Sequence, residues 1–246
     1  MIHRHLGGAD VWFTDRHGGT SRGPFASLNL AGHVGDDPVA VEANRVRVTT
    51  AIGRADARWL QPHHVHGTAV LVVQDDPEEL VGAASAWLAA GEEGDGVATD
   101  RVGLLLVAVG ADCAPIAIAN DTACAAIHAG WRGAVDGVVQ AGVAAVRSLG
   151  VGPVRAVVGP CVCGAHYEFG AGLLAELVER VGPHVETTTT DGLPGFDLRA
   201  AIRFAFERSG VEEVEVLDLC TVESLDHYSY RRDGDTGRQG VVVTKQ

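Results

Sequence analysis

Short apolar runs separated by turn residues dominate the hydrophobic pattern of this chain. Runs of the length and composition typical of strands occupy residues 104–109, 115–119, 124–128, 154–158, 214–219 and 240–244. Segments with helical character occupy residues 134–149, 171–181 and 198–209, the last beginning after Asp197 as N-cap and ending at Gly210. The connections are short and favour antiparallel pairs in the middle of the chain. The pattern therefore predicts an α/β or α+β fold.

A further helix is predicted where Asp37 precedes Pro38, because an N-cap followed by proline is a common helix start, and Gly53 ends it. The positions i, i+4, i+7 and i+11 of this helix are Val41, Arg45, Val48 and Ile52, with Asn44 beside them. Arg45 therefore lies on the face that we expect to be buried. A buried guanidinium needs an anionic partner, and the sequence leaves open whether this is a protein carboxylate or a bound substrate.

The chain has the organisation of a single domain over residues 1–246, because it contains no internal repeat and no low-complexity linker. The segment 75–96 contains DDPEEL and GEEGDG and predicts an acidic surface excursion around a short helix. No apolar run reaches the roughly 18 residues of a membrane span, and the amino-terminal MIHRHLGGADVW lacks the apolar core of a signal peptide. We therefore expect a cytoplasmic protein with no membrane partner. We also expect a monomer, although no sequence feature bears on the oligomeric state.

The charge balance limits the partners further. The formal net charge is −13 and no basic block is present, which argues against a general nucleic-acid binder. Lys245 is the only lysine, so nearly all positive charge is carried by arginine. Arginine suits bidentate contacts with a phosphate or a carboxylate, although a solvated surface position is the common role of any one arginine.

The five cysteines do not predict a disulfide framework, because their number is odd and no secretion signal accompanies them. Cys124 and Cys220 lie in apolar runs and are predicted to be core residues. Cys161 and Cys163 form a C-x-C pair in a loop-like segment, and we see no second pair that would complete a zinc cluster.

The fifth cysteine, Cys113, can be placed relative to His128. A two-residue hairpin turn at Asn120-Asp121 would pair residues whose numbers sum to 241, so that Cys113 faces His128. Opposed side chains have Cβ atoms about 4.5–5.5 Å apart, close enough to share one Zn²⁺. The pair could instead be a nucleophile with its base, or a small buried residue beside a hydrogen-bonded histidine.

A third ligand would favour the metal interpretation. The segment HHVHG, residues 63–67, supplies candidates, because His64 and His66 point to the same side if the segment is a strand. Three protein ligands leave zinc with an open fourth position, which is the arrangement of a catalytic site.

Several long motifs, in order along nearly the whole chain, carry a family resemblance. They are FTDRHGGTSRGPFASLNLAGHVGDDPVAVEANR at 13–45, VHGTAV at 65–70, GDGVATD at 94–100, GADCAPIAIAN at 110–120, HAGWRG at 128–133, GPCVCGAHYEFG at 159–170, FDLR at 196–199, CT at 220–221 and SYRRDGDTGRQG at 229–240. With these motifs the chain resembles the multicopper polyphenol oxidase, or laccase-domain, family of purine nucleoside phosphorylases, which is related to the peptidoglycan editing factor.

The resemblance implies a fold and a metal site. The fold would be α+β, a single-domain four-layer α/β/β/α sandwich with mixed sheets. The metal ligands would be His66, Cys113 and His128, with zinc expected and copper less so. Two positions depart from the family pattern: His64 stands where the family has glutamine, and Cys163 where it usually has glycine.

The resemblance also implies an enzyme that takes purine nucleoside and phosphate as its partners. It would catalyse phosphorolysis of adenosine or inosine and, as an adenosine deaminase, hydrolytic deamination of adenosine. For substrate contacts we favour Arg45 and Arg231 as phosphate or ribose ligands, with Asn29 and Asp95 as polar members of the pocket. For each of the four a structural role, as a turn cap or an ion pair, is an equal alternative, and Arg132 is a weaker candidate.

Other functions remain open from the sequence. The family name suggests a copper-dependent phenol oxidase, but a multicopper centre needs paired arrays of histidines, and only His63, His64 and His66 cluster in the sequence. A hydrolase that edits cell-wall precursors with Cys113 as nucleophile is a third possibility. A non-enzymatic, metal-stabilised binding module is a fourth.

Overall fold

The computed structural model describes residues 1–74 and 92–246. Its strands are β1 (Ile2–Leu6), β2 (Ala9–Phe13), β3 (Arg58–Leu60), β4 (Val70–Val72), β5 (Gly96–Thr99), β6 (Leu104–Gly110), β7 (Ala114–Ala119), β8 (Cys124–Ala129), β9 (Arg155–Val158), β10 (Glu186–Thr188), β11 (Pro194–Phe196), β12 (Glu213–Val216) and β13 (Gln239–Lys245). Its α-helices are α1 (Pro38–Ala51), α2 (Trp131–Asp136), α3 (Val138–Leu149), α4 (Ala171–Val181), α5 (Leu198–Arg208) and α6 (Tyr230–Asp233). The predicted acidic excursion at 75–96 lies outside the described residues, except for 92–96.

Two mixed sheets form the centre of the molecule. The first has the strand order β1-β2-β13-β6-β3, and the second has the order β12-β9-β7-β8-β5-β4. In the first sheet only the β3–β6 pair is parallel, and in the second the β4–β5 and β12–β9 pairs are parallel. The connections from β3 to β4 and from β6 to β7 pass from the first sheet to the second, and those from β5 to β6 and from β12 to β13 return.

Three apolar clusters join these sheets to the helices in four layers. One cluster lies between the sheets and contains Val11 and Leu106 of the first sheet with Ala117 of the second. A second cluster packs Val48 of α1 against the outer face of the first sheet. The largest cluster packs α2 to α5 against the outer face of the second sheet, around Ile116 and other residues. The predicted α/β/β/α sandwich of the α+β class is confirmed.

The strands of the core are buried on both faces, which explains why they appear in the sequence as continuous apolar runs. In β7, Ile116 and Ile118 point towards the helices, whereas Ala117 and Ala119 point towards the other sheet. The small side chains fit the narrow space between the sheets, and the branched ones fill the helical layer. All six predicted strands are present within two residues of the predicted ends, apart from the carboxyl end of β12.

The helix starts agree with the predicted caps. The Asp37 carboxylate accepts a hydrogen bond from the Val39 N–H, and that of Asp197 accepts one from the Ala200 N–H. The single helix predicted at 134–149 is wrong, because the chain forms α2 and α3 there. Gly137 separates them at φ 112°, a left-handed conformation that ends the first helix.

The predicted register of the β7–β8 hairpin is also wrong, by two residues. Asn120 begins a longer turn in which its side-chain Oδ1 accepts hydrogen bonds from the N–H groups of Thr122 and Ala123. As a result Ala119 pairs with Cys124 and Pro115 pairs with His128. Cys113 therefore precedes β7 and is not the direct cross-strand neighbour of His128. Because side chains alternate between the two faces of a strand, a register shift of two residues leaves each side chain on the face that the predicted register gave it.

Across residues 1–74 and 92–246, no helix combines the length and the hydropathy required to cross a membrane.

Candidate metal and substrate site

Three potential metal ligands converge from separate segments. His66 lies in the connection between β3 and β4, Cys113 in the connection between β6 and β7, and His128 near the end of β8. Their ligand atoms all lie within 4.8 Å of one another, and Cys113 Sγ is 3.7 Å from His66 Nε2. Sulfur and nitrogen atoms on one tetrahedral zinc ion are about 3.5 Å apart. The donor set and its spacing fit a zinc ion with an open fourth position.

Asp95 supports this cluster from behind. Its side chain is fully buried, and Oδ1 lies 2.8 Å from Nδ1 of His128. The same carboxylate accepts hydrogen bonds from the backbone N–H groups of His66, at 2.9 Å, and Gly67, at 2.6 Å. Because Nδ1 of His128 is engaged by Asp95, Nε2 is the nitrogen available to a metal, an arrangement common among metal-binding histidines.

The charges of the cluster favour a bound cation. Burial alone would raise the pKa of the Cys113 thiol, but the charge of His128 and hydrogen bonds from His128 and His66 lower it to about 6. Burial opposes the charged form of His128, yet Cys113 and Asp95 raise its pKa to about 9. Burial alone would raise the pKa of Asp95, but the hydrogen bond and charge of His128, together with the backbone N–H groups of Gly67 and His66, lower it to about 2. A thiolate and a carboxylate thus flank His128.

The backbone around the ligands is unusual in two ways. His66 and Asp112 have φ values of 60° and 87°, the left-handed region that non-glycine residues rarely adopt. Gly130, which follows β8, has an ordinary φ, but a Cβ atom there would lie 2.7 Å from His66 Cδ2 and 3.0 Å from Cys113 Sγ. Gly130 is therefore required by the close approach of two ligand side chains.

The HHVHG segment is not a strand, so the condition under which His64 and His66 would point to the same side is not met. Only an isolated bridge at His63 occurs there, and the chain then bends at His66. The ring of His64 nevertheless stacks on that of His128, with centroids 4.5 Å apart and planes 3° apart. Burial and the neighbouring positive charge of His128 lower the pKa of His64 well below its usual value, so His64 is neutral. Its Nε2 is buried and has no hydrogen-bond partner among the described residues.

The ligand cluster opens into a cavity of about 550 Å³. This volume is typical of small-molecule sites. The lining residues are His33, His64, His66, Val109, Gly110, Ala111, Asp112, Cys113, His128, Trp131, Arg132, Tyr167, Tyr230, Arg231 and Arg238. The guanidinium carbon of Arg231 lies 4.7 Å from the ring centroid of Tyr167. The cavity thus combines the metal ligands, aromatic rings and three arginines.

Of the four substrate residues predicted from the sequence, Arg231 is the one found in the described cavity lining. Asn29 is fully buried and bonds Ala31, Asp36 and the Arg238 N–H, so it supports a cavity residue from behind. Asp95 likewise acts behind His128.

Arg45 does lie on the inward face of α1, as predicted, but the described cavity lining does not include it. Its Nε and Nη2 donate to the Leu30 carbonyl at 3.0 and 2.8 Å. Burial lowers its pKa to about 10. A main-chain carbonyl is therefore one acceptor of this partly buried guanidinium, a kind of partner that the sequence-based expectation did not consider.

Sequence reasoning missed Arg238 and Tyr167 and undervalued Arg132. Arg132 lines the cavity with its guanidinium carbon 4.5 Å from the Trp131 ring centroid. Arg238 lines it too, with Nη1 donating to the carbonyls of Thr236 and Gly237. All three residues belong to motifs that carried the family resemblance, which was the available signal. Their common position around one cavity depends on contacts between segments distant in the sequence.

Comparisons with known proteins identify the family of the chain. Residues 10–246 match the family model described as multi-copper polyphenol oxidoreductase laccase. A purine nucleoside phosphorylase of Streptomyces coelicolor is 42% identical over 241 residues, which cover 95% of this chain and 94% of that protein.

Solved structures show the same fold. Protein NMB0706 of Neisseria meningitidis is similar, with a TM-score of 0.82 and 32% identity, over 97% of this chain and 95% of that one. YlmD of Geobacillus stearothermophilus has a TM-score of 0.84 and 30% identity, over 98% of this chain and 93% of that one. The chain therefore belongs to the multi-copper polyphenol oxidoreductase laccase family.

Proposed function

We propose that this protein is a zinc-dependent purine nucleoside phosphorylase that acts on adenosine and inosine and also deaminates adenosine. The observation that carries the proposal is the convergence of His66, Cys113 and His128 on a cavity that also contains three guanidinium groups. The relative from Streptomyces coelicolor, named purine nucleoside phosphorylase, supports the same reaction class.

Zinc is the metal that the donor set favours. Two imidazoles and one thiolate suit zinc, and three protein ligands leave a position free towards the cavity. A zinc ion held there would supply Lewis acidity to a substrate oxygen or a water molecule in the cavity. Asp95 keeps the His128 proton on Nδ1, so that Nε2 presents its lone pair to the cluster.

Phosphate is expected to bind among Arg132, Arg231 and Arg238. Guanidinium groups match the geometry of phosphate oxygens and stay charged at neutral pH. Among the described residues of the lining, the carboxylate is that of Asp112, which accepts hydrogen bonds from the Thr221 hydroxyl at 2.6 Å and the Arg231 N–H at 2.6 Å. It therefore repels an anion less than a free carboxylate would, and the arginines dominate this wall of the cavity.

The purine base is expected to pack against the aromatic part of the cavity. Tyr167 is buried and holds Arg231 against its ring face, whereas Tyr230 is more than half exposed at the rim. Flat apolar surfaces of this kind are suited to a heteroaromatic ring. Phosphorolysis of the glycosidic bond requires the ribose to lie between the base and the phosphate.

To test the proposal, the purified, zinc-loaded protein is incubated with adenosine, with and without phosphate. The products adenine, inosine, hypoxanthine and ribose 1-phosphate are then separated and quantified. We expect adenine and ribose 1-phosphate only when phosphate is present, and inosine in both cases. Arg231→Gln should raise the KM for phosphate more than it lowers deamination. Arg58→Gln is the matched control, since Arg58 does not line the cavity.

The alternative functions predict different results. Zinc-loaded protein that releases no base from adenosine or inosine with phosphate would contradict the phosphorylase proposal. A copper-loaded protein that oxidises phenols while the zinc form is inactive would favour the oxidase. A metal-free protein that retains full nucleoside turnover and loses it on thiol alkylation would assign Cys113 and His128 as nucleophile and base.

A further inference from the structure

A second group of metal-ligating side chains lies outside the cavity lining. Cys163, Cys220 and Glu223 bring their ligand atoms within 4.8 Å of one another. Cys163 Sγ is 3.9 Å from Glu223 Oε1, and the Cys163 N–H points to Cys220 Sγ at 3.3 Å. His166 Nε2 lies 3.0 Å from the same Glu223 oxygen. Two sulfurs, a carboxylate and an imidazole are thus collected in one place.

The sequence spacing of these residues is that of paired metal ligands. The chain supplies them as C-x2-H, from Cys163 to His166, and as C-x2-E, from Cys220 to Glu223. Structural zinc sites are usually built from two chain segments, each of which supplies two ligands separated by a few residues. Cys161 of the C-x-C pair is not among these side chains: Cys163 pairs with His166, and Cys220 with Glu223 forms the second pair.

The two segments are held side by side by the backbone. The Thr221 N–H donates to the Cys161 carbonyl at 3.2 Å, and the Cys161 N–H donates to the Leu219 carbonyl at 3.3 Å. A short 3₁₀ helix, Gly164–His166, then turns His166 back towards Glu223. The relative positions of the two ligand pairs therefore depend on main-chain contacts, and a metal would meet a largely formed site.

We propose that Cys163, Cys220 and Glu223 bind a second zinc ion, with His166 as the fourth ligand. In the described structure His166 is hydrogen-bonded to Glu223, and a small rotation of the Glu223 side chain, which is 60% exposed, would let both groups reach one ion. Four protein ligands would close the coordination sphere, so the site is structural and not catalytic.

Nearby arginines compensate the negative charge of such a site. Two thiolates and a carboxylate exceed the charge of Zn²⁺ by one unit. Arg232 donates from Nη1 to the carbonyls of Thr221 and Ser224, both at 2.8 Å, on the segment that carries two of the ligands. Arg199 donates from Nη2 to the Cys161 carbonyl at 3.4 Å, next to the other segment. These cations lower the cost of collecting thiolates at a partly buried position.

The proposed site would stabilise one side of the cavity. Tyr167 directly follows His166, and Arg232 directly follows Arg231. Tyr167 and Arg231 line the cavity. A metal that joins residues 163–166 to residues 220–223 would therefore hold the chain segments next to these two residues. The expected consequence is thermal stability, with little effect on the affinity of the first metal.

The test uses cobalt(II) in place of zinc, because thiolate ligands give cobalt an intense near-ultraviolet charge-transfer absorption. In the Cys113→Ser protein, kept reduced, the first cluster has no thiolate. In this protein we expect one bound cobalt ion whose absorption corresponds to about two thiolates. The additional substitution Cys163→Ser should halve that absorption or abolish cobalt binding. Glu223→Gln, at an exposed side chain, should weaken cobalt binding at least about tenfold without unfolding the protein.

Control variants distinguish this site from the remaining metal-binding side chains. The cluster of His3, His5 and Asp10 on the β1–β2 edge could also bind cobalt, but it has no sulfur, so His5→Ala should leave the thiolate absorption unchanged. If Cys113→Ser fails to fold, the wild type gives the same information, with about three thiolates expected against about one in Cys163→Ser/Cys220→Ser. A reduced, folded protein without the extra thiolate absorption, or a native protein whose mass shows a Cys163–Cys220 disulfide, overturns the proposal.

Discussion

The two ligand clusters of this protein use similar donor atoms in different surroundings. The cavity cluster has its carboxylate, Asp95, fully buried behind a histidine, whereas Glu223 of the second cluster is exposed and lies among the candidate ligands themselves. The first cluster opens into about 550 Å³ of cavity, and neither Cys163 nor Cys220 lines that space. A carboxylate that orients a ligand leaves a coordination position free, while a carboxylate that binds fills it. We therefore expect reactivity at the first cluster alone, and a purely stabilising role for the second.

Cys113→Ser should reveal the largest functional difference between the two clusters. Serine is a much poorer zinc ligand than cysteine, so we expect nucleoside turnover to fall at least about 100-fold, together with the loss of one metal ion. The protein should stay folded, with its melting temperature lowered only by the stabilisation that the lost metal supplied. Activity assays, metal analysis and thermal denaturation of one preparation test this, and full turnover without the first metal would contradict it.

Metal removal should distinguish the same roles in the wild type. A strong chelator is expected to abolish turnover, and added zinc to restore it, because the Cys113 sulfur is a ligand and not a nucleophile. Activity that survives complete removal of metal, measured on the same sample, would reverse this assignment.

Asp95→Asn should produce the next largest effect. The amide leaves the His128 tautomer unfixed and places an N–H group near other donors, so zinc affinity at the first cluster should fall about 10- to 100-fold. Asp37→Asn is a matched control, because Asp37 caps α1 and asparagine caps helices equally well. Competition with a chromophoric chelator measures the affinity, and equal losses in both variants would argue against the positioning role.

Gly130→Ala should have a smaller effect. The new methyl group would press on His66 and Cys113, and misplacement of reacting groups by a fraction of an ångström is expected to lower turnover about tenfold. Gly172→Ala in α4 is the control, because a Cβ there meets no atom within 4 Å. If both alanine variants are fully active, the close approach at Gly130 does not constrain the site.

The smallest effect on catalysis is expected from Glu223→Gln, with a change of less than about twofold in nucleoside turnover. Zinc at 100 times its dissociation constant stabilises a protein by about 2.7 kcal/mol, which for this size corresponds to roughly 5–11 °C in melting temperature. The Cys113→Ser protein should show such a zinc-dependent shift, and Glu223→Gln in that background, with binding weakened about tenfold, should lose about half of it. Differential scanning fluorimetry with and without zinc measures the shift.

The sequence predicted those parts of the molecule in which one physical pattern dominates. Strands such as β6 and β7 are apolar on both faces, and α4 has a clear amphipathic period, so their limits were close to correct. The amino-terminal pair β1 and β2 was not predicted, because β1 alternates exposed and partly buried residues in a short, polar stretch. The register error at Asn120 arose from side-chain hydrogen bonds within the turn, which a count of residues does not reveal.

The candidate site, like the fold, could be predicted only in part from the sequence. His66, Cys113 and His128 were identified through motifs, and the structure brings their ligand atoms together. Arg45 was placed correctly on its helix face, but helix periodicity cannot tell which atoms that face meets. The second cluster was not predicted, because Cys163 and Cys220 are 57 residues apart and become neighbours only through the contact of two loops.

The position of the first cluster on connections between the sheets has a consequence for folding. His66 and Cys113 lie 47 residues apart, on two separate passages from the first sheet to the second. An unfolded chain rarely brings such distant residues together, because closing long loops costs conformational entropy. The ligands should therefore assemble only after the sheets have docked. Zinc would then bind after the folding transition state and stabilise the native structure. Refolding rates should then be insensitive to zinc, while the unfolding rate slows as zinc is added.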